Sequence, residues 1–513
     1  MNCRKLINIF LFIIGVTAFF ACKKDLSTLD LNKIKGVTLD TTGTGILNVL
    51  QFEHLVLKPK VITGIDPQNL AYEWRINSSP SDTIYLKLSN TKDLDAEISF
   101  TPTRSGAYHQ LVYTITDKSN GLKYMTSWKV AVKNSIGEGL VVAETSDGIN
   151  TDLSHIMHPL VTREFTGESV KHNIYSGING STIPGIVKQM RFNSDILGLF
   201  GITDNSIFKV NTLDYKLGGK NEELFFSHAG AFAPQSLGAL YQSDVYIENG
   251  KMYANYMAVA KKWGVPLDSK FNVPGIVALN GYDNLTSDLE TVLNFYDEIN
   301  GKFVYLMTVG NFGDRNMYAY PSNPAQVFNP GNLPGKINVA ASIGVDEDYV
   351  HLLKDKVSGK LSLYAFAKAI DNYPDPLTPP SPKAVYDLSN APEIGEAIKF
   401  VLYNGQRVMY YATSKKIYVV LFGGASPIFE ERYTVPAGEQ ITTLQMFQQS
   451  DYPYSYGPFI STNNNQLILS TYSGTEGKVH ILPIKSVGSG TLDLPNIKTF
   501  TGFGKITAIT SQK

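Results

Sequence analysis

Cysteine is almost absent from this chain of 513 residues, which contains only Cys3 and Cys22. Cys3 lies in an N-terminal segment that we expect to be removed, so the mature protein has no pair of thiols for a disulfide and no thiolate metal site. A second run of 18 apolar residues is also missing, which predicts a soluble body. Stability must therefore come from apolar burial and sheet hydrogen bonds.

An excess of either charge is missing as well, because 45 Lys and Arg residues balance 46 Asp and Glu residues. Nucleic acid is therefore not expected as a partner, since phosphate binding depends on clustered Lys and Arg. The sequence contains no Gly-x-Ser-x-Gly elbow, Walker loop or dinucleotide fingerprint. We expect no cofactor and assign no catalytic residue, although among 46 acidic residues a glycosidase-type carboxylate pair can arise by chance.

The N-terminus has the order of a secretory signal: Arg4 and Lys5, an apolar run over residues 6–20, then Ala21 and Cys22. A cysteine directly after a small residue is the lipobox arrangement. It predicts a signal peptide over residues 1–21, acylation of Cys22, and a polar tether over residues 22–36. An ordinary cleaved signal and an uncleaved anchor are the alternatives. We expect attachment to the outer membrane at the cell surface, with the periplasmic face as the alternative.

Short alternating runs rich in Tyr and Phe, broken by Gly and Pro, predict an all-β protein. Residues 37–135 hold about seven such runs. One of them places Tyr72, Trp74 and Ile76 on a single face, with Trp74 expected in the core. This pattern predicts an immunoglobulin-like β-sandwich.

Hairpins continue through residues 136–513 with the spacing of four-stranded units. A propeller blade uses four strands and roughly 40–50 residues, so the length predicts a seven-bladed β-propeller, with eight blades as the alternative number. A pair of β-sandwiches is the alternative fold. An open ring would leave edge strands exposed, and we expect residues 503–510 to close it by pairing with residues 139–144.

Several of these phrases resemble a known family. Tyr72-x-Trp74, Gly106-x-Tyr108 and the strand end Thr116-Asp117 are similar to the polycystic-kidney-disease (PKD) type of sandwich domain. The phrases at residues 139–148 and 151–154 resemble the entry into the second half of the PKD-like lipoproteins of Bacteroidota. The resemblance implies a surface lipoprotein beside a starch-utilisation-type outer-membrane transporter, and it carries over no catalytic residue.

Aromatic side chains in polar loops are the candidates for ligand binding. Rigid rings with a polar tip suit sugar faces and peptide side chains. The first loop offers Tyr452, Tyr454, Tyr456 and Phe459; the second offers Phe312 and Tyr318; a third is Phe225-Phe226-Ser227-His228. The alternative is that these loops pack on one another.

Two other stretches are expected to have structural roles. His155 and His158 are spaced as two metal ligands could be, but zinc sites need three or four, so we expect two loop histidines and no metal. Residues 373–382 contain five prolines and predict an extended polyproline II loop.

These observations predict a non-catalytic accessory protein that binds a glycan, a peptide or the transporter itself. A propeller-type glycan hydrolase or lyase and a purely structural scaffold are the alternatives. Inward carboxylates around the ring's funnel would favour the enzyme, and an aromatic, charge-poor face would favour the binder.

Overall fold

A computed structural model describes residues 36–40, 45–103, 106–163, 165–194, 196–240, 243–256, 261–266, 290–309, 317–372, 375–449 and 459–513. The chain divides into two compact units, with the boundary between Lys133 and Asn134. Among the helices of these residues, none has the length and apolar character needed to cross a bilayer.

The first unit is a β-sandwich. Its described residues form nine strands: β1 (Val37–Asp40), β2 (Leu47–Leu50), β3 (Glu53–Leu57), β4 (Lys60–Thr63), β5 (Leu70–Asn77), β6 (Tyr85–Ser89), β7 (Leu94–Ile98), β8 (His109–Asp117) and β9 (Lys123–Lys133). The main sheet has the order β2-β9-β8-β5-β6, and the pairs β3-β7 and β1-β4 form the other sheets.

Trp74 occupies the centre of the sandwich, as predicted. It is fully buried, and its ring centroid lies 4.0 Å from that of Tyr113 on the neighbouring strand. Its indole Nε1 donates a hydrogen bond to the Thr91 carbonyl oxygen at 3.0 Å. On the other face of β5 the Arg75 guanidinium pairs with Glu73 at the surface. The alternation of Trp74, Arg75 and Ile76 therefore separates core from solvent in this part of the strand.

The second unit is built almost entirely of short strands. Its described residues form thirty strands: β10 (Gly139–Thr145), β11 (Asn150–Met157), β12 (Ser169–Lys171), β13 (Ile183–Pro184), β14 (Gln189–Asn193), β15 (Gly198–Ile202), β16 (Ile207–Asn211), β17 (Leu217–Lys220), β18 (Pro234–Leu240), β19 (Ser243–Glu248), β20 (Lys251–Tyr256), β21 (Glu290–Asp297), β22 (Lys302–Val309), β23 (Met317–Ala319), β24 (Lys336–Ile343), β25 (Tyr349–Asp355), β26 (Leu361–Ala367), β27 (Ile370–Asn372), β28 (Asp375–Thr378), β29 (Ser381–Asp387), β30 (Lys399–Tyr403), β31 (Val408–Ala412), β32 (Lys416–Leu421), β33 (Ile428–Thr434), β34 (Gln440–Met446), β35 (Gln466–Tyr472), β36 (Gly477–Ser486), β37 (Thr491–Leu492), β38 (Lys498–Phe503) and β39 (Lys505–Gln512). An α-helix, α1, spans Ile174–Asn179. Single 3₁₀ turns span Pro67–Asn69 in the first unit and, in the second, Asn221–Leu224, Val345–Glu347, Ile394–Glu396, Val487–Ser489 and Leu494–Asn496.

These strands form seven successive antiparallel sheets, which are the blades of a β-propeller. In the described residues the blades are, in order, β39-β10-β11-β12, β14-β15-β16-β17, β18-β19-β20, β21-β22-β23, β24-β25-β26-β29, β30-β31-β32-β33 and β34-β35-β36-β38. The predicted fold class and the predicted seven blades are confirmed.

Ring closure follows the predicted route. Strand β39 pairs antiparallel with β10, from Gly139 opposite Gln512 to Thr145 opposite Lys505, so blade 1 combines the two ends of the unit. The first strand of this blade lies beside the first strands of blades 2 and 7, β14 and β34. The ring is therefore closed by main-chain hydrogen bonds rather than by a disulfide.

Neighbouring blades are held together by apolar faces. Separate buried clusters lie between blades 2 and 3, 3 and 4, 4 and 5, 5 and 6, 6 and 7, and 7 and 1. This face-to-face sequence of sheets differs from two stacked sandwiches, in which each domain would have one core. The apolar residues at alternate strand positions, which the sequence displays throughout this half, form these clusters.

Three buried histidines make the propeller sensitive to acid. Burial lowers the pKa of His155 to about 4, of His351 to about 3 and of His480 to about 4. An unfolded histidine binds its proton near pH 6.5, so stability that is present above that pH is lost as the pH falls toward 4. We expect a loss of about 2 kcal/mol per histidine at pH 5, measured by urea unfolding at pH 7.5 and 5.0. In His480→Gln the loss should be about one third smaller, and an equal loss would contradict this account.

Two local expectations are wrong. His155 is not a loop residue: it lies in β11, is buried, and its Nε2 is 3.1 Å from the Gly137 carbonyl oxygen. Part of the proline-rich segment is also a strand, since β28 pairs with β27, with Asn372 opposite Asp375 and Ile370 opposite Thr378. Proline is compatible with this two-stranded hairpin because its edges need no further backbone donor.

Candidate functional site

A polar channel of about 500 Å³ passes between the blades. Its lining comes from six of the seven blades in the described chain: residues 188–192, 237–238, 341–343, 399–402, 404, 443–446, 448 and 507–511. Each of these blades contributes the strand at the end of its sheet, namely β14, β18, β24, β30, β34 and β39. One edge of each strand is bonded within the blade, so the other edge presents backbone donors and acceptors to the channel.

Three cations line the channel, and they differ in how they are neutralised. Arg191 is paired with the fully buried Asp244, Nε to Oδ1 at 2.5 Å. Lys188 forms an ion pair with Asp204, in which both side chains are more than half exposed. Lys399 opens β30 and is exposed; no described residue forms an ion pair with it. The described lining residues include no carboxylate. Lys399 is therefore the one cation among the described lining residues that no described carboxylate neutralises.

The rest of the lining consists of uncharged polar residues and of apolar residues. Gln189 ties blade 2 to blade 3, because its Nε2 donates to the Leu237 carbonyl oxygen at 2.8 Å and its Oε1 accepts from the Leu237 N–H at 2.9 Å. Ser342, Gln445 and Thr510 are half-buried and lie on β24, β34 and β39. These groups can form hydrogen bonds with a ligand in several directions.

A chain of hydrogen bonds crosses the far end of the lining segments. Ser511 Oγ donates to the Gln448 carbonyl oxygen at 2.6 Å. The Gln448 amide donates to Asn464, which in turn donates to Asn404 at 2.6 Å. This end of the channel is therefore held by amides and a hydroxyl from blades 1, 6 and 7.

Of the six aromatic residues predicted in the first two loops, Phe459 and Tyr318 lie among the described residues, and they are in different blades. Phe459 follows the Tyr452–Tyr456 loop, and the Lys513 ammonium lies 5.1 Å from its ring centroid. Tyr318, on β23 of blade 4, stacks on Tyr305 with centroids 5.6 Å apart. Neither is among the residues that line the channel. Cys22, Phe312, Tyr452, Tyr454 and Tyr456 lie outside the described residues, and their roles stay predictions.

The third aromatic loop packs inward. Phe225 is buried in the cluster between blades 2 and 3, and His228 stacks on Phe232 with centroids 3.8 Å apart. His228 Nε2 lies 3.1 Å from a carboxylate oxygen of the buried Glu248. Of this loop's rings, only Phe226 is largely exposed. In the described parts of the chain no group of three or more His, Cys, Asp or Glu residues is arranged to hold a metal ion.

Sequence comparison links the N-terminal third of the chain to a family. Residues 25–186 match the model of the PKD-like family. The match includes the Tyr72–Trp74 strand at the sandwich core and continues across the boundary into blade 1. It therefore covers both groups of phrases that carry the resemblance. No curated protein matches this chain.

Solved structures with some similarity include propellers. A quinoprotein alcohol dehydrogenase-like protein from Bacteroides thetaiotaomicron aligns over 93% of this chain and 99% of its own, at 12% identity and a TM-score of 0.45. The WD40 domain of SCAP from fission yeast aligns over 62% and 74%, at 9% identity and a TM-score of 0.33. PorZ, a surface component of the type-IX secretion system of Porphyromonas gingivalis, aligns over 68% and 45%, at 11% identity and a TM-score of 0.28. The fold assignment itself rests on the strand pairing.

The channel residues were not among the sequence-predicted candidates. They come from six segments distributed between residues 188 and 511, and none forms a recognisable motif. One signal was available: Lys399, Gln445 and Thr510 are polar residues within the first strands of their blades. Using that signal requires the blade boundaries, which the hairpin spacing gives only approximately.

Proposed function

We propose that this protein is a lipid-anchored surface protein that binds a polar ligand in its propeller channel and assists an outer-membrane nutrient importer. The observation that carries the binding role is the channel, where side chains with amide, hydroxyl and ammonium groups from five blades line one space of about 500 Å³. Pockets of about 300–1,000 Å³ with a few directed polar groups are typical of small-ligand sites.

The cellular part of the proposal is supported by the N-terminal sequence and by the PKD-like match. Ala21-Cys22 would provide the lipid attachment, and the polar segment that follows would hold the body away from the membrane. The sandwich would then act as a spacer or a docking module. The pairing with an importer follows from the resemblance to PKD-like lipoproteins.

Filling the channel tests the binding role. Thr510→Trp places a large ring among the lining residues, and we expect any oligosaccharide or short peptide that binds the wild-type protein to bind at least 10-fold more weakly. Thr501→Trp, on the exposed side of β38, is the matched control and should bind as the wild type does. Isothermal titration calorimetry gives the affinities, and thermal unfolding checks that both variants fold. Equal affinity in the Thr510→Trp variant would place the ligand elsewhere.

The accessory role needs a separate experiment in the native membrane. The lipidated protein should co-purify with an outer-membrane transporter, and protease added to intact cells should remove it. A protein that purifies alone and resists external protease would contradict the accessory role while leaving the channel result intact.

A further inference from the structure

Resting on the proposed function, we infer that the channel binds a short oligosaccharide that carries a carboxylate, and that Lys399 holds this carboxylate. The inference starts from the imbalance of charge in the lining. Arg191 is already committed to the buried Asp244, and Lys188 to Asp204. Lys399 remains as an ammonium group at the start of β30 to which no described carboxylate is paired. A cleft lined by one sign of charge concentrates ligands of the opposite sign.

The position of Lys399 directs the charged end of the ligand to one mouth of the channel. The lining segments begin at Lys188, Ala341, Lys399, Thr443 and Thr507. First strands of successive blades run in the same direction, because each blade repeats the same antiparallel order, so each lining segment starts on the side of the same mouth. Two ammonium groups therefore stand at this mouth, and the uncharged Asn404, Gln448 and Ser511 stand at the other.

The groups beyond Lys399 match the hydroxyls of a sugar. Ser342, Gln445 and Thr510 lie on blades 5, 7 and 1, so with Lys399 on blade 6 they form an arc over four consecutive blades. The longer lining segments, of four or five residues at about 3.3 Å per residue, give a depth of roughly 15 Å. Peptides on sheets need one long free edge with side pockets. Six short edges that face a common axis instead offer single donors and acceptors around a ring-shaped molecule.

Trigalacturonate and its methyl ester are the probes, because they share the sugar and differ in charge. In calorimetry at low salt we expect the wild-type protein to bind the free acid about 10- to 100-fold more tightly than the ester, the size of a hydrogen bond to a charged group. Lys399→Ala should abolish this preference, and Lys399→Arg should keep most of it. Lys360→Ala, an exposed lysine in the turn between β25 and β26, is the matched control and should change nothing.

Each of the other outcomes would contradict one step: the role of Lys399, the class of ligand, or the proposed function. Equal affinity for acid and ester, or an unchanged Lys399→Ala variant, would remove Lys399 from recognition. Binding of triglutamate but of neither sugar would show that the ligand class is a peptide, and binding of none of the three probes would overturn the inference. If a neutral sugar binds and Thr510→Trp weakens it, the inference fails while the proposed function stands. If Thr510→Trp leaves every ligand unaffected, the proposed function fails.

Discussion

A chain that ends at Gly504 should fail to form a stable propeller. It lacks β39, so β10 loses its partner on one edge, and the cluster between blades 7 and 1 loses the buried Ile506 and Ile509. The first strands of blades 2 and 7 also lose the neighbour that lies between them. We expect a loss comparable with the whole stability of a domain, about 5–15 kcal/mol, because the ring cannot close without this strand.

Urea unfolding followed by fluorescence, together with limited proteolysis, measures this effect. The sandwich provides an internal control, because its core contains residues only up to Val132 and its own transition should persist. Removal of Lys513 alone is the matched truncation, since it keeps the whole of β39 and removes the contact with the Phe459 ring. A Gly504-terminated chain that unfolds cooperatively at the wild-type urea concentration would show that β39 does not close the ring.

Replacing Asp244 by alanine should destabilise the propeller by about 3–5 kcal/mol, because the Arg191 side chain, which is only 14% exposed, would lose the counter-charge of the buried Asp244. The Asp244 carboxylate also accepts a hydrogen bond from Asn193 Nδ2 at 2.7 Å, so it joins β14 of blade 2 to β19 of blade 3. The variant should unfold at a lower urea concentration, and the pairing within blade 1 should be unaffected.

Asp204→Ala is the matched control for this substitution. It removes the partner of Lys188, also next to β14, but that pair is exposed, and exposed pairs contribute about 0–1 kcal/mol. A loss below 1 kcal/mol in Asp244→Ala would mean that water or another group replaces the carboxylate. Both variants remove one carboxylate from an ion pair, so the difference between their losses of stability measures the effect of burying the pair.

Alternation and length were sufficient to predict the architecture. The Tyr72–Ile76 alternation places Trp74 in a core, and the pairing of residues 139–144 with the strand near residue 510 follows from the need to close a ring. The sequence also contains a short repeat at the hairpin turns of blades 4 and 5. Asp297 accepts hydrogen bonds from the N–H groups of Ile299 and Asn300, and Asp355 accepts them from Val357 and Ser358.

Both of these turns continue with glycine and lysine, at Gly301-Lys302 and Gly359-Lys360, and both glycines have positive φ. The recurring phrase Asp-x-x-(Asn/Ser)-Gly-Lys therefore has a mechanism: the carboxylate caps the turn, and glycine adopts the left-handed conformation that the hairpin requires. Recognising it would have located the hairpin turns of blades 4 and 5 from the sequence.

The channel could not be predicted in the same way. Its character depends on which charges are neutralised across blades, and the pair of Arg191 and Asp244 joins residues that are far apart in the sequence. His155 shows the same limitation, since its burial follows from the neighbours of β11 rather than from its local sequence. The proline-rich segment was misjudged because two-stranded pairing of β27 and β28 tolerates Pro376.

The shared first blade also sets an order of events during biosynthesis. Strand β10 leaves the ribosome long before β39, and at about 5–20 residues per second the wait is tens of seconds. During that time strand β10 has no partner along one edge, so the ring cannot close while the chain is being synthesised. Closure of the ring can therefore begin only after the whole unit has been synthesised.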